Sequence, residues 1–157
     1  MSVDVALTLE NRPQGRIRPQ LDNLRGVLAE IGNPQLDFPS ILVVGTNGKG
    51  STAAMLNAVL RAHDLNTGLF TSPHLVRVEE RVRLNGEPVD KTRLALSIGR
   101  FDAFPDLTYF ETLTAAAFAL FSEERVDVAV LEAGMGGSWD ATRLAESTIA
   151  GLTNIGS

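Results

Sequence analysis

The sequence predicts an α/β fold: a mostly parallel sheet with helices on both faces, a phosphate-loop turn and a small β-hairpin excursion. Three observations carry this. The apolar run Ile41 to Val44 leads directly into Gly45-Thr46-Asn47-Gly48-Lys49-Gly50-Ser51-Thr52 and then into a helical pattern from about Ser51 to His63. A second short apolar run, Leu69 to Thr71, follows that helix and completes a β-α-β unit, for which a right-handed crossover is expected. A third, Val126 to Leu131, barely alternates, as a parallel strand covered on both faces should.

Composition bounds the rest. A chain of 157 residues with 44% hydrophobic and 21% charged residues can bury one ordinary core. The net charge of −5 argues against a basic face for nucleic acid, so positive charge must be local, with Lys49 as the candidate. There are no cysteines. That removes disulfides, thiol nucleophiles and thiolate zinc sites, and it is compatible with a cytoplasmic protein. Met1 to Gly15 carries acids and no apolar block, unlike a secretory signal, and no apolar run approaches a membrane span. Neither a nucleic-acid nor a membrane partner is expected.

In chain order, residues 1 to about 16 read as a short lead-in helix or arm. From Arg18, Pro19 suits a first helical turn, and Leu21, Leu24, Leu28 and Ile31 recur at helical spacing until Gly32-Asn33-Pro34 stops them. After the glycine loop, Ala53, Ala54, Leu56, Val59 and Leu60 give a helix with a small apolar face. Asn66 and Gly68 mark a turn before the second strand. That strand ends at Ser72-Pro73-His74, and ligands in open parallel sheets sit beyond such carboxyl ends, so Ser72 and His74 are expected beside the phosphate loop. Between 75 and 90, charges alternate with Val76, Val78, Val82 and Leu84, and Asn85-Gly86 signals a β-hairpin. The charge cluster here reads first as a solvated face.

Asp90 is placed to cap a helix from Lys91 to about Phe101, and Pro105 interrupts. The stretch from Thr108 to Phe121 is apolar nearly all round and predicts a buried helix. Glu111 near its start is open to two readings, a helix-dipole partner or a ligand contact. Thr148 to Ile155 reads as a further strand; the sequence stops just after it, which reads as truncation.

The chemistry gathers at strand ends. Backbone N–H groups at a helix N-terminus, with the helix dipole behind them, favour an anion. Glycines let the backbone approach, and Lys49 adds a positive charge. The spacing departs from the general phosphate-loop pattern: only Thr46 and Asn47 separate Gly45 from Gly48, and Gly50 follows the lysine. A glycine-rich turn with an exposed lysine is the bland alternative. Three glycines, a lysine and two hydroxyls at one junction outweigh it. Glu132 ends the third strand opposite this loop, where phosphate-loop proteins hold magnesium, although a carboxylate there can also simply accept loop N–H bonds.

Several blocks then occur in order: Gly45 to Ser51, Ser72-Pro73-His74-Leu75, Glu80-Arg81-Val82-Arg83, Thr108-Tyr109-Phe110-Glu111, Leu131-Glu132-Ala133-Gly134-Met135-Gly136-Gly137 and Asp140-Ala141-Thr142. Together, from about Arg18 to Ser157, they closely resemble the folylpolyglutamate synthases and bifunctional dihydrofolate synthases of the Mur ligase superfamily. The resemblance implies residues 1–157 as a partial Mur ligase central domain, the N-terminal ATP-binding part, without the C-terminal glutamate-ligase domain. It implies an ADP-forming acid–amino-acid ligase. ATP activates a carboxylate of dihydropteroate or (tetrahydro)folate as an acyl phosphate, which the amine of L-glutamate attacks. By this resemblance Thr46, Asn47, Gly48, Lys49, Gly50 and Ser51 hold the ATP phosphates, and Ser72 and Glu132 bind Mg²⁺, with Lys49 and Glu132 carrying the catalytic electrostatics. Thr108, Tyr109, Phe110, Glu111, Trp139, Asp140 and Ala141 contact pterin or folate, with a looser match at Arg18 to Leu21. Ser138-Trp139 departs from the family's usual Arg-Leu. The family's histidine metal ligand and later lysine fall beyond Ser157, so the chain alone is expected to be inactive. A phosphate-loop kinase or GTPase finds no base-reading motif here. A non-catalytic nucleotide-binding module remains the other alternative.

Overall fold

The structure, a computed structural model, describes residues 4–14, 21–134 and 140–155. Arg18, Pro19 and Trp139 lie outside the described residues.

Helix α1 (Val5–Glu10) and helix α2 (Asp22–Glu30) precede strand β1 (Ser40–Val44). Helix α3 (Lys49–Ala62) leads to strand β2 (Thr67–Phe70), then to the short strands β3 (Val82–Leu84) and β4 (Glu87–Pro88). Helices α4 (Lys91–Gly99) and α5 (Tyr109–Glu123), strand β5 (Val128–Glu132) and strand β6 (Ile149–Leu152) complete the order. Among the described residues the strands form one sheet in the order β4-β3-β2-β5-β1-β6. The pairs β2–β5, β5–β1 and β1–β6 are parallel, while β3 and β4 add an antiparallel edge. The α/β class, the parallel core and the hairpin excursion are therefore as predicted.

Residue alternation along the strands explains why both faces are covered. Leu42, Phe70, Ala129 and Leu131 turn to one face and join the cores of α1, α2, α4 and α5. Val43, Leu69 and Val130 turn to the other and meet Ala53, with Leu56 and Leu60 of α3 packed around them. Each such fully buried Val or Leu stabilises the fold by roughly 1.5–3 kcal/mol. Helix α5 runs buried through its whole length from Glu111 to Phe121. Its alanines allow close approach to α4, where the Ser97 hydroxyl donates to the Ala116 carbonyl at 3.0 Å. Phe38 seals its far end, with ring centroids 6.3 Å from Phe118 and 5.8 Å from Phe121.

Local signals explain the boundaries. Gly32 (φ 92°) and Asn33 (φ 55°) take the left-handed conformation that ends α2, and a 3₁₀ turn, Pro34–Leu36, follows. Asp90 caps α4, its side chain accepting from the N–H groups of Thr92 and Arg93. Asn85 and Gly86, both at positive φ, make the hairpin turn.

Four expectations are corrected. Helix α3 begins at Lys49, two residues early, because Gly48 at φ 75° serves as its N-cap. Gly68 is not a turn marker: it lies inside β2, buried, where the Phe121 ring packs on its backbone. The segment 75–90 is only partly ribbon, since Val78–Arg81 forms a 3₁₀ turn in which Val78 and Glu79 are buried. Finally, β5 stands between β1 and β2. The first crossover skips a strand position, and the carboxyl end of β2 adjoins that of β5 instead of that of β1.

Gly68 yields a stability prediction. A Cβ there would lie 2.7 Å from Phe121 Cδ1, inside a packed ring contact. Gly68→Ala is expected to destabilise the chain by about 1–3 kcal/mol in urea denaturation, the usual cost of overpacking. A neutral or stabilising effect would show that the β2–α5 contact is loose.

Candidate functional site

Three parallel strand ends converge. β1 delivers the glycine loop, β5 delivers Glu132 and β2 delivers Ser72. The Ser72 backbone N–H donates to Glu132 Oε2 at 3.0 Å. A Cβ on Gly50 would lie 3.5 Å from the same oxygen. The carboxylate is thus pressed against the first turn of α3, and any larger residue at 50 would fill the space between loop and carboxylate. Glu132 is buried, and burial pushes its carboxyl above the ordinary carboxylate range. The Ser72 N–H, Lys49 and Arg81 act against that shift, while the Asp140 charge adds to it.

The glycine loop is built from both ends. Gly45, at φ 139°, is required by the chain that crosses it: a Cβ there would lie 2.0 Å from Thr153 Oγ1. Thr153 follows β6, and its N–H donates to the Val44 carbonyl at 2.9 Å while its hydroxyl donates to the Asn47 carbonyl at 2.7 Å. The Thr46 N–H donates to the Asn154 carbonyl at 3.1 Å, and the Asn47 N–H to Asn154 Oδ1 at 2.9 Å. The cradle at Thr46 and Asn47 is therefore occupied by protein acceptors, whereas the N–H groups of Lys49, Gly50 and Ser51, in the first turn of α3, have no intrahelical acceptor. The loop's anion-ready half is its helical half.

On the other side, Asp140 meets the start of α5. Its Oδ1 accepts from the Thr142 N–H at 3.0 Å and from the Thr142 hydroxyl. A Cβ on Gly134 would lie 3.0 Å from Phe110 Cζ and 3.1 Å from Asp140 Oδ2, so these three residues form one wall. Burial pushes the Asp140 carboxyl up, against the Thr142 bonds, the Gly134 N–H and the Lys49 charge. Phe110 also packs on Phe70 with centroids 5.8 Å apart. Thr108 and Glu111 form a reciprocal cap: Glu111 Oε2 accepts from the Thr108 N–H at 2.8 Å, and Thr108 Oγ1 from the Glu111 N–H at 3.2 Å. Glu111 thus serves in the cap that starts the helix.

The charge cluster of 77–83 is no mere solvated face. Arg81 Nε donates to His74 Nδ1 at 2.8 Å, and its guanidinium carbon stands 5.4 Å from the centroid of the Tyr109 ring. Burial raises the Tyr109 hydroxyl pKa, with Arg81 opposing and Glu10 reinforcing. Glu80 accepts from the N–H groups of Leu75, Val76 and Arg77, bonds that hold its carboxyl below the usual range. His74 is thereby tied to Arg81. Arg81, Thr153 and Asn154 are the site-forming residues that sequence reasoning did not single out. The Glu-Arg-Val-Arg block was visible, but nothing local says which arginine turns inward.

The corner thus brings together Lys49, Gly50, Ser72, Glu132 and Asp140, with Tyr109, Phe110 and Ala141 in its flank. Among the described residues no group of three or more His, Cys, Asp or Glu is arranged to hold a metal. A hydroxyl and one carboxylate suit Mg²⁺, which takes few protein oxygens and fills its shell from phosphates and water.

No family model matches the chain. A dihydrofolate synthase/folylpolyglutamate synthase of Mycobacterium tuberculosis is 37% identical over 91% of this chain and 33% of its own length. A solved structure of Escherichia coli FolC in complex with DHPP and ADP superposes with TM-score 0.90 at 35% identity, covering 96% of this chain and 37% of that one. A bifunctional folylpolyglutamate synthase/dihydrofolate synthase with Mn, AMPPNP and L-glutamate bound gives TM-score 0.89 at 34% identity, over 97% and 37%. The chain spans about a third of the length of these three relatives.

Glu132 sets a pH prediction. Its folded-state pKa is raised, so the folded chain binds this proton more tightly than the unfolded one. Stability from this group is therefore lost as pH rises from the ordinary value of 4.5 through the raised one. In metal-free buffer, Glu132→Gln is expected to raise the thermal midpoint at pH 7. The gain should shrink as pH falls below the carboxylate range. A variant less stable than the parent at pH 7 would show that Lys49 and Ser72 overcompensate the burial.

Proposed function

Proceeding from its kinship with the folylpolyglutamate and dihydrofolate synthases, we propose that this chain is the ATP-, Mg²⁺- and pterin-binding part of an ADP-forming ligase. The ligase joins L-glutamate to dihydropteroate or a (tetrahydro)folate through an acyl phosphate. The single observation that carries this reading is the corner where Lys49, Ser72 and Glu132 meet beneath the first turn of α3, with Asp140 and Phe110 beside it.

The division of labour follows from charge and place. Gly48 to Ser51 receive the nucleotide phosphates on helix N–H groups, and Lys49 adds a cation at the same end. Ser72 and Glu132 hold the divalent ion, which when bound offsets the repulsion between a substrate carboxylate and the γ-phosphate. Thr108 and Glu111 lock the start of α5. Tyr109, Phe110, Asp140 and Ala141 then face the pterin ring, Asp140 through hydrogen bonds and the aromatics through stacking, with Trp139 proposed at the same pocket. Asn154 must release the Asn47 N–H if phosphate is to use it. The protein is proposed to work in the cytoplasm. Among the described residues no helix is long and apolar enough to cross a membrane.

Calorimetric titration tests the reading. ATP with Mg²⁺ is expected to bind once per chain. Lys49→Ala should weaken binding by about 10- to 100-fold, the usual loss of a charge-assisted contact. Glu132→Gln should abolish the Mg²⁺ dependence. Dihydropteroate should bind the parent and bind weakly to Asp140→Ala. Nucleotide affinity unchanged in both Lys49→Ala and Glu132→Gln would sink the proposal. Nucleotide binding without any pterin binding would leave only a nucleotide-binding module.

A further inference from the structure

We infer that the cleft between α3 and the β3–β4 turn is a binding subsite for a small oxyanion, held by Arg61 and Arg83 at the end remote from Glu132. The cleft has a volume of about 390 Å³. Gly50, Ser72 and Glu132 line one end; Arg61, Arg83 and Gly86 line the other, and Asn57 lies along α3 between them.

Two guanidiniums converge on one glycine. A Cβ on Gly86 would lie 2.6 Å from Arg61 Cζ, so the Arg61 side chain rests directly on the turn. Arg83 Nη1 donates to the Gly86 carbonyl at 3.2 Å. Gly86 is at φ 85°, and the absence of a side chain there admits both arginines. Among the described residues neither arginine has a carboxylate partner, whereas Arg12, Arg93 and Arg100 are paired with Asp102, Glu124 and Glu123. Two like charges without a carboxylate partner thus meet at one turn. Their mutual repulsion is relieved by an anion between them, and a planar guanidinium fork matches the geometry of carboxylate and phosphate.

Asn57 is the second, independent observation. It is 4% exposed and stands on the sheet side of α3 near Ala53 and Leu60, where an apolar residue would pack at no polar cost. Its Oδ1 has no hydrogen-bond partner. A buried amide left short of a bond costs stability unless something meets it. The residue lines the cleft, and its amide carries both a donor and an acceptor. A protonated phosphate, with both oxygens and a hydroxyl, uses the two arginines and this amide together. Glu132 repels an anion from the opposite end.

The inference does not rest on the ligase reading, and its test is run without the phosphate loop's lysine. Inorganic phosphate is titrated calorimetrically into the 157-residue chain carrying Lys49→Ala, and into the same chain with Arg61→Gln and Arg83→Gln added. Saturable binding to the first and a loss of about tenfold or more in the second is expected, since two charge-assisted contacts are removed. A smaller loss, or no saturable binding to the Lys49→Ala chain, overturns it. Far-UV circular dichroism checks folding, and Arg61→Gln alone, at an exposed side chain, replaces the double change if that fails. Succinate titrated in parallel distinguishes a carboxylate source from a phosphate one. Asn57→Leu, which keeps the helix and removes the amide, should weaken the same site without lowering the thermal midpoint.

Discussion

The bond from the Ser72 N–H to Glu132 is the contact on which the rest of the corner depends. β5 is the central strand, covered by α3 on one face and α5 on the other, and it carries its last side chain, a carboxylate, out of that dry environment. Burying a charge is costly unless partners meet it. One N–H, one lysine and one arginine meet it in part, yet burial still prevails and the carboxyl stays above its ordinary range. A nearby Asp140 sharpens the deficit. A carboxylate with incomplete compensation is where the proposed Mg²⁺ would add the missing positive charge.

The glycine loop depends on β6 as much as on its own glycines. β6 is an edge strand, with Ile149 57% and Leu152 59% exposed, and it is held to the sheet through β1 alone. Yet the residues just beyond it, Thr153 and Asn154, take four of the loop's backbone groups or those beside it. The shape of the loop is thereby tied to strand pairing at the sheet edge. Gly45 is where this shows: its freedom at positive φ matters less than the hydroxyl that occupies the space of any Cβ.

Much of this was legible from residue order. Period and punctuation located β1, α3, α5 and β5, because each is a long or unbroken apolar pattern bounded by a turn residue. The Asp90 cap, the Asn85-Gly86 turn and the placement of Glu132 followed from local chemistry. What local chemistry does not contain is strand order. Nothing in Leu69 to Thr71 says that β5 will insert between it and β1, so Ser72 meets Glu132 at the end of β5. Gly68 misled for the same reason: a glycine signals a turn to its neighbours in sequence, while here it answers to Phe121, fifty-odd residues away. Arg81 was hidden among alternating charges because inward and outward arginines look alike until His74 and Tyr109 are folded against one of them.

The small number of protein oxygens at the corner has a consequence for how ligands arrive. Where Ser72 and Glu132 hold the metal as proposed, they supply two positions, and Mg²⁺ asks for six near-octahedral ones. The nucleotide's phosphates must supply others, and Lys49 can hold those phosphates but repels the ion. Metal and nucleotide then raise each other's affinity by the same factor, since coupling between two ligands is reciprocal. With only these two side chains proposed for the ion among the described residues, its hold on the corner is coupled to the nucleotide that completes its shell.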